Sequence, residues 1–97
     1  MTKYILSPQA QDRIKQIRNY TITNHGKQQN KVYMTMLRDK MRLAATNPKS
    51  EGKDRKDIKD GYYSIRAGKH NIYYRIRLDF IDVIDILHES MEPNKHI

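Results

Sequence analysis

Between Phe80 and His88 the chain reads Phe-Ile-Asp-Val-Ile-Asp-Ile-Leu-His, the densest apolar run in the sequence and rich in β-branched residues. Branching at Cβ favours a pleated strand. Read with period two, the run places Phe80, Ile84 and Ile86 on one face and Ile81, Val83 and Leu87 on the other. A strand apolar on both faces is central in its sheet and covered on both sides. Asp82 and Asp85 fall on opposite faces, and His88 stands where the strand emerges into a polar tail. The rest of the chain must supply the cover.

The upstream sequence offers it. Lys3-Tyr4-Ile5-Leu6 reads as a short first strand, and Ser7-Pro8 as a helix start. A serine hydroxyl accepts from an orphan N–H at the N-cap, and proline suits the first helical position. Ala10, Ile14, Ile17 and Ile22 or Tyr20 follow near helical spacing, with Arg13, Lys15, Gln16 and Arg18 facing away. Asn24-His25-Gly26 predicts a stop, because glycine allows a left-handed turn. A second helix is expected from about Lys27 to Ala45, with Tyr33, Met36, Leu37, Met41 and Ala44 as its apolar stripe and Asn47-Pro48 as its end. So short a connection makes the two helices an antiparallel hairpin. The charged loop Lys49 to Asp60 reads as solvated and mobile. Gly61 to Arg66 and Lys69 to Arg77 read as strands joined at Ala67-Gly68. In the second of these, Ile72, Tyr74 and Ile76 point inward and Tyr73, Arg75 and Arg77 outward. A tight turn at Leu78-Asp79 would bring Arg75 near Asp82. The expected class is α+β, in the order β-α-α-β-β-β: an antiparallel sheet with an N-terminal helical hairpin packed on one face. Part of the sheet's other face is left for a partner or a second copy of the chain.

Size and composition narrow the functional classes. Ninety-seven residues fit a single domain, 1–97, able to bury roughly 60–70% of its unfolded surface. With no cysteine there is no disulfide framework and no thiolate metal site. Four histidines without a shared short spacing argue against any metal or other cofactor. The N-terminal stretch Met1 to Leu6 lacks the apolar region of a signal peptide, and no segment is long and apolar enough for a membrane span. A cytoplasmic protein is expected. The formal charge of +8 points to an acidic partner without choosing among nucleic acid, protein and anionic surface.

Several segments together resemble the ParE toxins of bacterial toxin–antitoxin modules, within the RelE/ParE superfamily. They are Tyr4-Ile5-Leu6-Ser7-Pro8-Gln9-Ala10; Tyr20, then Gly26-Lys27-Gln28-Gln29 with Tyr33; Leu43-Ala44 with Asn47-Pro48; Asp57-Ile58 with Gly61-Tyr62; His70 to Tyr74; and Ile86 to Glu92 with the closing Asn94-Lys95-His96-Ile97. The resemblance covers nearly the whole chain and rests on the order and spacing of these pieces. It implies a toxin that poisons DNA gyrase and blocks replication, and a ParD-type antitoxin that neutralises it in a hetero-oligomer. It also implies that operator DNA is reached only indirectly, through the antitoxin.

Candidate site residues follow. Met34, Met36, Leu37 and Met41 would seat an antitoxin helix, since methionine surfaces adapt to partners. Tyr73, Arg75 and Arg77 form an outward aromatic–basic stripe for the same partner. Met91, Asn94, Lys95 and His96, on a polar tail free to engage a target, would face gyrase. In this reading no residue is catalytic and the protein is not an enzyme. The alternative is a ribosome-dependent mRNA endonuclease of the RelE branch, with His88, Arg66 and Arg75 assembled around a phosphodiester. Such cleavage needs a base, an acid and cations converging on one phosphate. The plainer role for His88 is to close the end of its strand.

Overall fold

The computed structural model describes residues 3–97. Met1 and Thr2, the start of the stretch scanned for a signal peptide, lie outside the described residues. The elements run β1 (Tyr4–Leu6), α1 (Pro8–Thr46), α2 (Pro48–Glu51), β2 (Lys53–Asp54), β3 (Tyr62–Ala67), β4 (His70–Ile76) and β5 (Ile81–His88), followed by a 3-10 turn at Pro93–Lys95.

Ser7 starts α1 as its sequence suggests. Its Oγ accepts the Ala10 N–H at 3.0 Å and donates to the Ile84 carbonyl at 2.7 Å, so one hydroxyl both caps the helix and ties it to β5. A straight helix of 39 residues would be about 58 Å long, yet the molecule's greatest extent is 37 Å. The segment therefore folds back, at Gly26, whose φ of 89° and ψ of 165° are non-helical. That region of backbone space is open essentially to glycine alone. The arms are 8–25 and 27–46, the antiparallel pair expected.

The arms return the chain to its starting end, where Lys3 and Tyr4 line a cleft with Arg42, Ala45 and Thr46. β3 thus runs in β1's direction, β4 reverses it and β5 restores it. The sheet order is β1-β5-β4-β3-β2, with β1 parallel to β5 and every other pair antiparallel. The sheet is therefore mixed, not wholly antiparallel, and the apolar strand β5 does have a neighbour on each side.

A bulge in β5 revises its two faces. Tyr73 pairs with Asp85 and Tyr74 with Val83, which leaves Ile84 as an extra residue. Beyond it the alternation is reset. Ile86 joins Ile81 and Val83 in the main core, and Leu87, also buried, lies outside that cluster. The core is closed by Ile65, Ala67, Ile72 and Tyr74 of the sheet against Ala10, Ile17, Leu37, Met41, Ala44 and Ala45 of the hairpin.

The opposite side of the sheet is more covered than the sequence suggests. Tyr73, expected to point outward, is only 2% exposed. The Arg55 guanidinium lies 5.4 Å from its ring centroid and also donates to the Ser64 hydroxyl at 3.2 Å. Asp54 and Lys53 pair with Tyr63 and Ser64 as a short edge strand. The charged loop is thus fastened to the sheet at its start, not wholly free.

Arg13 also departs from expectation. It turns inward, and its Nε and Nη2 donate to the two carboxylate oxygens of buried Asp85 at 3.0 and 3.2 Å.

A Cβ placed on Gly26 would meet nothing within 4 Å, so its replacement tests backbone conformation alone. Gly26→Ala is expected to lower unfolding free energy by about 1–3 kcal/mol, measured by urea titration. An unchanged midpoint would show that the reversal does not depend on this dihedral pair.

Candidate functional site

The sheet edge formed by the ends of β3, β4 and β5, under the hairpin's reversal, gathers most of the polar chemistry. Gly68, at φ 60°, turns β3 into β4 so closely beneath the hairpin that a Cβ there would lie 2.7 Å from the Met36 methyl and 2.9 Å from the Tyr33 ring. That approach places Tyr33 in a relay. Its hydroxyl accepts the Lys69 N–H at 3.1 Å, lies 2.5 Å from His70 Nδ1 and is within 3.4 Å of the Ala67 carbonyl as a second acceptor. The His70 ring meets His88 edge to face, with centroids 5.4 Å apart, as their β4–β5 pairing requires. Tyr20, Thr21, His25, Gln29 and Lys69 join these three residues around a cavity of about 510 Å³.

Burial, first, and the nearby charges of His88 and Arg66 lower the His70 pKa to about 4. The ring is neutral at physiological pH and able to accept from Tyr33. His88 is occupied too. Its Nδ1 accepts the Ser90 N–H at 3.1 Å and lies 2.8 Å from the Ser90 hydroxyl. These two contacts to Ser90 occupy His88 Nδ1.

The three residues of the endonuclease alternative do not converge. Arg66 pairs in register with Asn71, next to the Ala67–His70 pair whose alanine belongs to the core face. Adjacent residues of a strand point to opposite faces, so Arg66 and His88 project from different sides. Arg66 donates to the Gly68 carbonyl at 2.6 Å and to the Glu89 carboxylate. Arg75 lies four residues from Asn71, roughly 13 Å along the strand, where it covers the Tyr62 ring at 5.8 Å. Arg75 does pair in register with Asp82, but the carboxylate is held by Arg77 at 2.9 Å.

The antitoxin-facing set divides. Leu37, Met41 and Tyr73 are buried in the folded chain and present no surface, while Met34 and Met36 are half-buried against the core. Arg75 is half-buried and Arg77 exposed. Two residues outside the expected set are the exposed apolar positions of the second arm: Val32 at 55% and Leu43 at 38%. With Met36 they follow a spacing of four and seven residues, which puts all three within about 40° of arc. That helical spacing was present in the sequence, beside the more regular core stripe.

The tail is not free. The Gln9 amide donates to the His96 carbonyl at 3.1 Å, and the Met91 N–H to the His88 carbonyl at 2.9 Å. Asn94, Lys95 and His96 are exposed and Met91 half-buried. Among the described residues, no group of three or more metal-ligating side chains is placed to hold an ion, and no helix is long and apolar enough to cross a membrane.

The solved structure of a chromosomal ParDE toxin–antitoxin system from P. aeruginosa superposes with a TM-score of 0.75 at 11% identity, covering 91% of this chain and 95% of that one. The toxin–antitoxin complex RelBE2 from Mycobacterium tuberculosis gives 0.61 at 13%, covering 89% and 95%. The fold is thus that of the ParE and RelE toxins. In sequence, Toxin ParE1 of Mycobacterium tuberculosis (strain CDC 1551 / Oshkosh) is 32% identical over 97 residues, covering 99% of this chain and 98% of that protein. Toxin ParE1 of Caulobacter vibrioides is 27% identical over 97 residues, covering 100% and 99%. Residues 4–93 match the family described as the ParE toxin of the type II toxin–antitoxin system parDE. The chain belongs to this family and is a toxin of the type II class.

His70 has a folded pKa near 4, below its ordinary 6.5, so the fold favours the neutral ring. Its contribution to stability is complete above about pH 6.5 and is lost as pH falls toward 4. The urea midpoint is expected to drop between pH 7 and pH 5, and to drop less in His70→Gln. Equal drops in both proteins would show that another group governs this window.

Proposed function

We propose that this toxin acts by binding and breaks no covalent bond: it poisons DNA gyrase in the cytoplasm, blocks replication, and is neutralised by a ParD-type antitoxin. The whole chain, 1–97, serves as one toxin domain. The observation that carries the reading is the dispersal of His88, Arg66 and Arg75. An endonuclease needs them around one phosphate, whereas here they lie on different faces or at different heights of the sheet, each engaged by a neighbour. The family's association with parDE modules supports the partner assignment.

The antitoxin seat is best placed on the outer apolar line of the second arm, Val32, Met36 and Leu43, with Arg75 and Arg77 on the sheet; Met34, two residues from Met36, falls on the far side of the helix and outside this line. An amphipathic helix recognises such a line through anchors three, four or seven residues apart. The gyrase-facing surface is placed on the exposed tail, Asn94, Lys95 and His96 with Met91, held in shape by Gln9.

Two measurements test these placements. Purified protein is expected to inhibit supercoiling by purified gyrase and to leave mRNA intact in a translating extract, with Lys95→Glu/His96→Glu losing at least tenfold in inhibition. Cleaved transcripts with untouched supercoiling would replace this reading with the endonuclease. Val32→Glu/Leu43→Glu is expected to keep toxicity but escape rescue by the co-expressed antitoxin. Full rescue would move the antitoxin seat elsewhere.

A further inference from the structure

The second arm of the hairpin carries a feature that neither the core nor the apolar line uses. Lys27, Lys31, Arg38 and Arg42 are all exposed. Their spacing of four, seven and four residues places them within about 60° of arc and along roughly 22 Å of helix. Thr35 borders the stripe about 50° from its centre, and its hydroxyl is turned back to the Lys31 carbonyl at 2.9 Å. At the far end Lys3 shares a cleft with Arg42.

The stripe is uncompensated. Arg13, Arg55, Arg66 and Arg77 each hold a carboxylate. Among the described residues, none of the four stripe cations forms an ion pair, and Asp39, at the stripe's margin, pairs with none of them. Like charges four residues apart on a helix are destabilising, and this arm has two such pairs, Lys27–Lys31 and Arg38–Arg42. An anionic partner relieves that repulsion.

The partner's chemistry follows from what the stripe lacks. A protein interface gains its affinity from buried apolar and aromatic anchors. This stripe holds no exposed apolar side chain: Met34 at its edge is half-buried against the core, and Val32 and Leu43 lie about 110–130° round from its centre. Cations in a row without apolar anchors suit a regular polyanion read through its phosphates. We propose that the stripe Lys27–Lys31–Arg38–Arg42 binds the phosphate backbone of duplex DNA, without base readout. The toxin chain then touches DNA itself, in addition to any contact made through the antitoxin. The inference is independent of which protein the toxin poisons.

The test uses the purified full chain and a fluorescein-labelled 25-base-pair duplex of arbitrary sequence, with binding followed by anisotropy as KCl is raised. Four phosphate contacts predict a log–log salt slope of about −3.6. Replacing Lys27, Lys31, Arg38 and Arg42 together by Gln is expected to abolish most of that slope and to weaken binding at least tenfold at low salt. The double variant Lys27→Gln/Arg42→Gln should remove about half the slope, which keeps the test decisive if the quadruple variant misfolds. Lys49, Lys53, Lys56 and Lys59 replaced by Gln remove the same charge from the loop and should leave binding within about twofold. Equal losses in the stripe and loop variants would reduce the effect to net charge and overturn the proposal. So would a stripe variant that keeps DNA binding but loses poly-glutamate, which would mark the stripe as a surface for acidic protein.

Discussion

One buried carboxylate ties the two ends of this fold together. Asp85 sits on β5, fully buried, and its two oxygens accept from Gln9, from two nitrogens of Arg13 and from its own neighbour's N–H. A buried charge is tolerable only when its hydrogen-bonding capacity is filled. The two side chains that fill most of it come from the opening turns of the helical hairpin. With the Ser7 hydroxyl on the Ile84 carbonyl, they fix where the hairpin lands on the sheet. The landing determines which side chains of the second arm are spent on the core and which remain outside.

That division organises the surface. Leu37, Met41 and Ala44 close the core. Successive strips around the same arm then carry the apolar line of Val32 and Leu43 and the row of lysines and arginines. A small domain can present several partners with separate surfaces in this way, because one helix buries only a stripe of its circumference. The histidine cluster at the end of the sheet is held by the same logic: Tyr33 engages His70 Nδ1, Ser90 engages His88 Nδ1, and the two rings meet edge to face.

Much of the architecture could be read from local signals. Ser7-Pro8, Gly26 and Asn47-Pro48 mark the helix ends because each acts through a backbone rule that tertiary packing seldom overrides. The pairing of Arg75 with Asp82 followed from the length of one turn. What escaped the sequence was non-local. The bulge at Ile84 shifts Ile86 and Leu87 between faces, and nothing within β5 announces it. Arg13 looked like a solvated helix residue because its partner is 72 positions away. Tyr73 looked exposed by alternation, since the arginine that covers it belongs to a loop whose composition suggests only solvent. The expected antitoxin seat failed at Leu37 and Met41 for a related reason: a methionine- and leucine-rich stripe reads alike whether it meets a core or a partner. The free tail was misjudged because its anchor is the carbonyl of His96, which composition cannot show.

The parallel pairing of β1 with β5 has a consequence for synthesis. Among the described residues Tyr4, Ile5 and Leu6 take their register from Ile81, Asp82 and Val83, so β1 must wait for β5. Closing so long a loop is entropically slow, and folds dominated by such distant contacts assemble late. Until β5 has cleared the ribosome's exit tunnel the nascent chain lacks the element that both β1 and β4 need. A translation product interrupted before β5 therefore cannot assemble this sheet, because β1 and β4 would each lack the strand that lies between them.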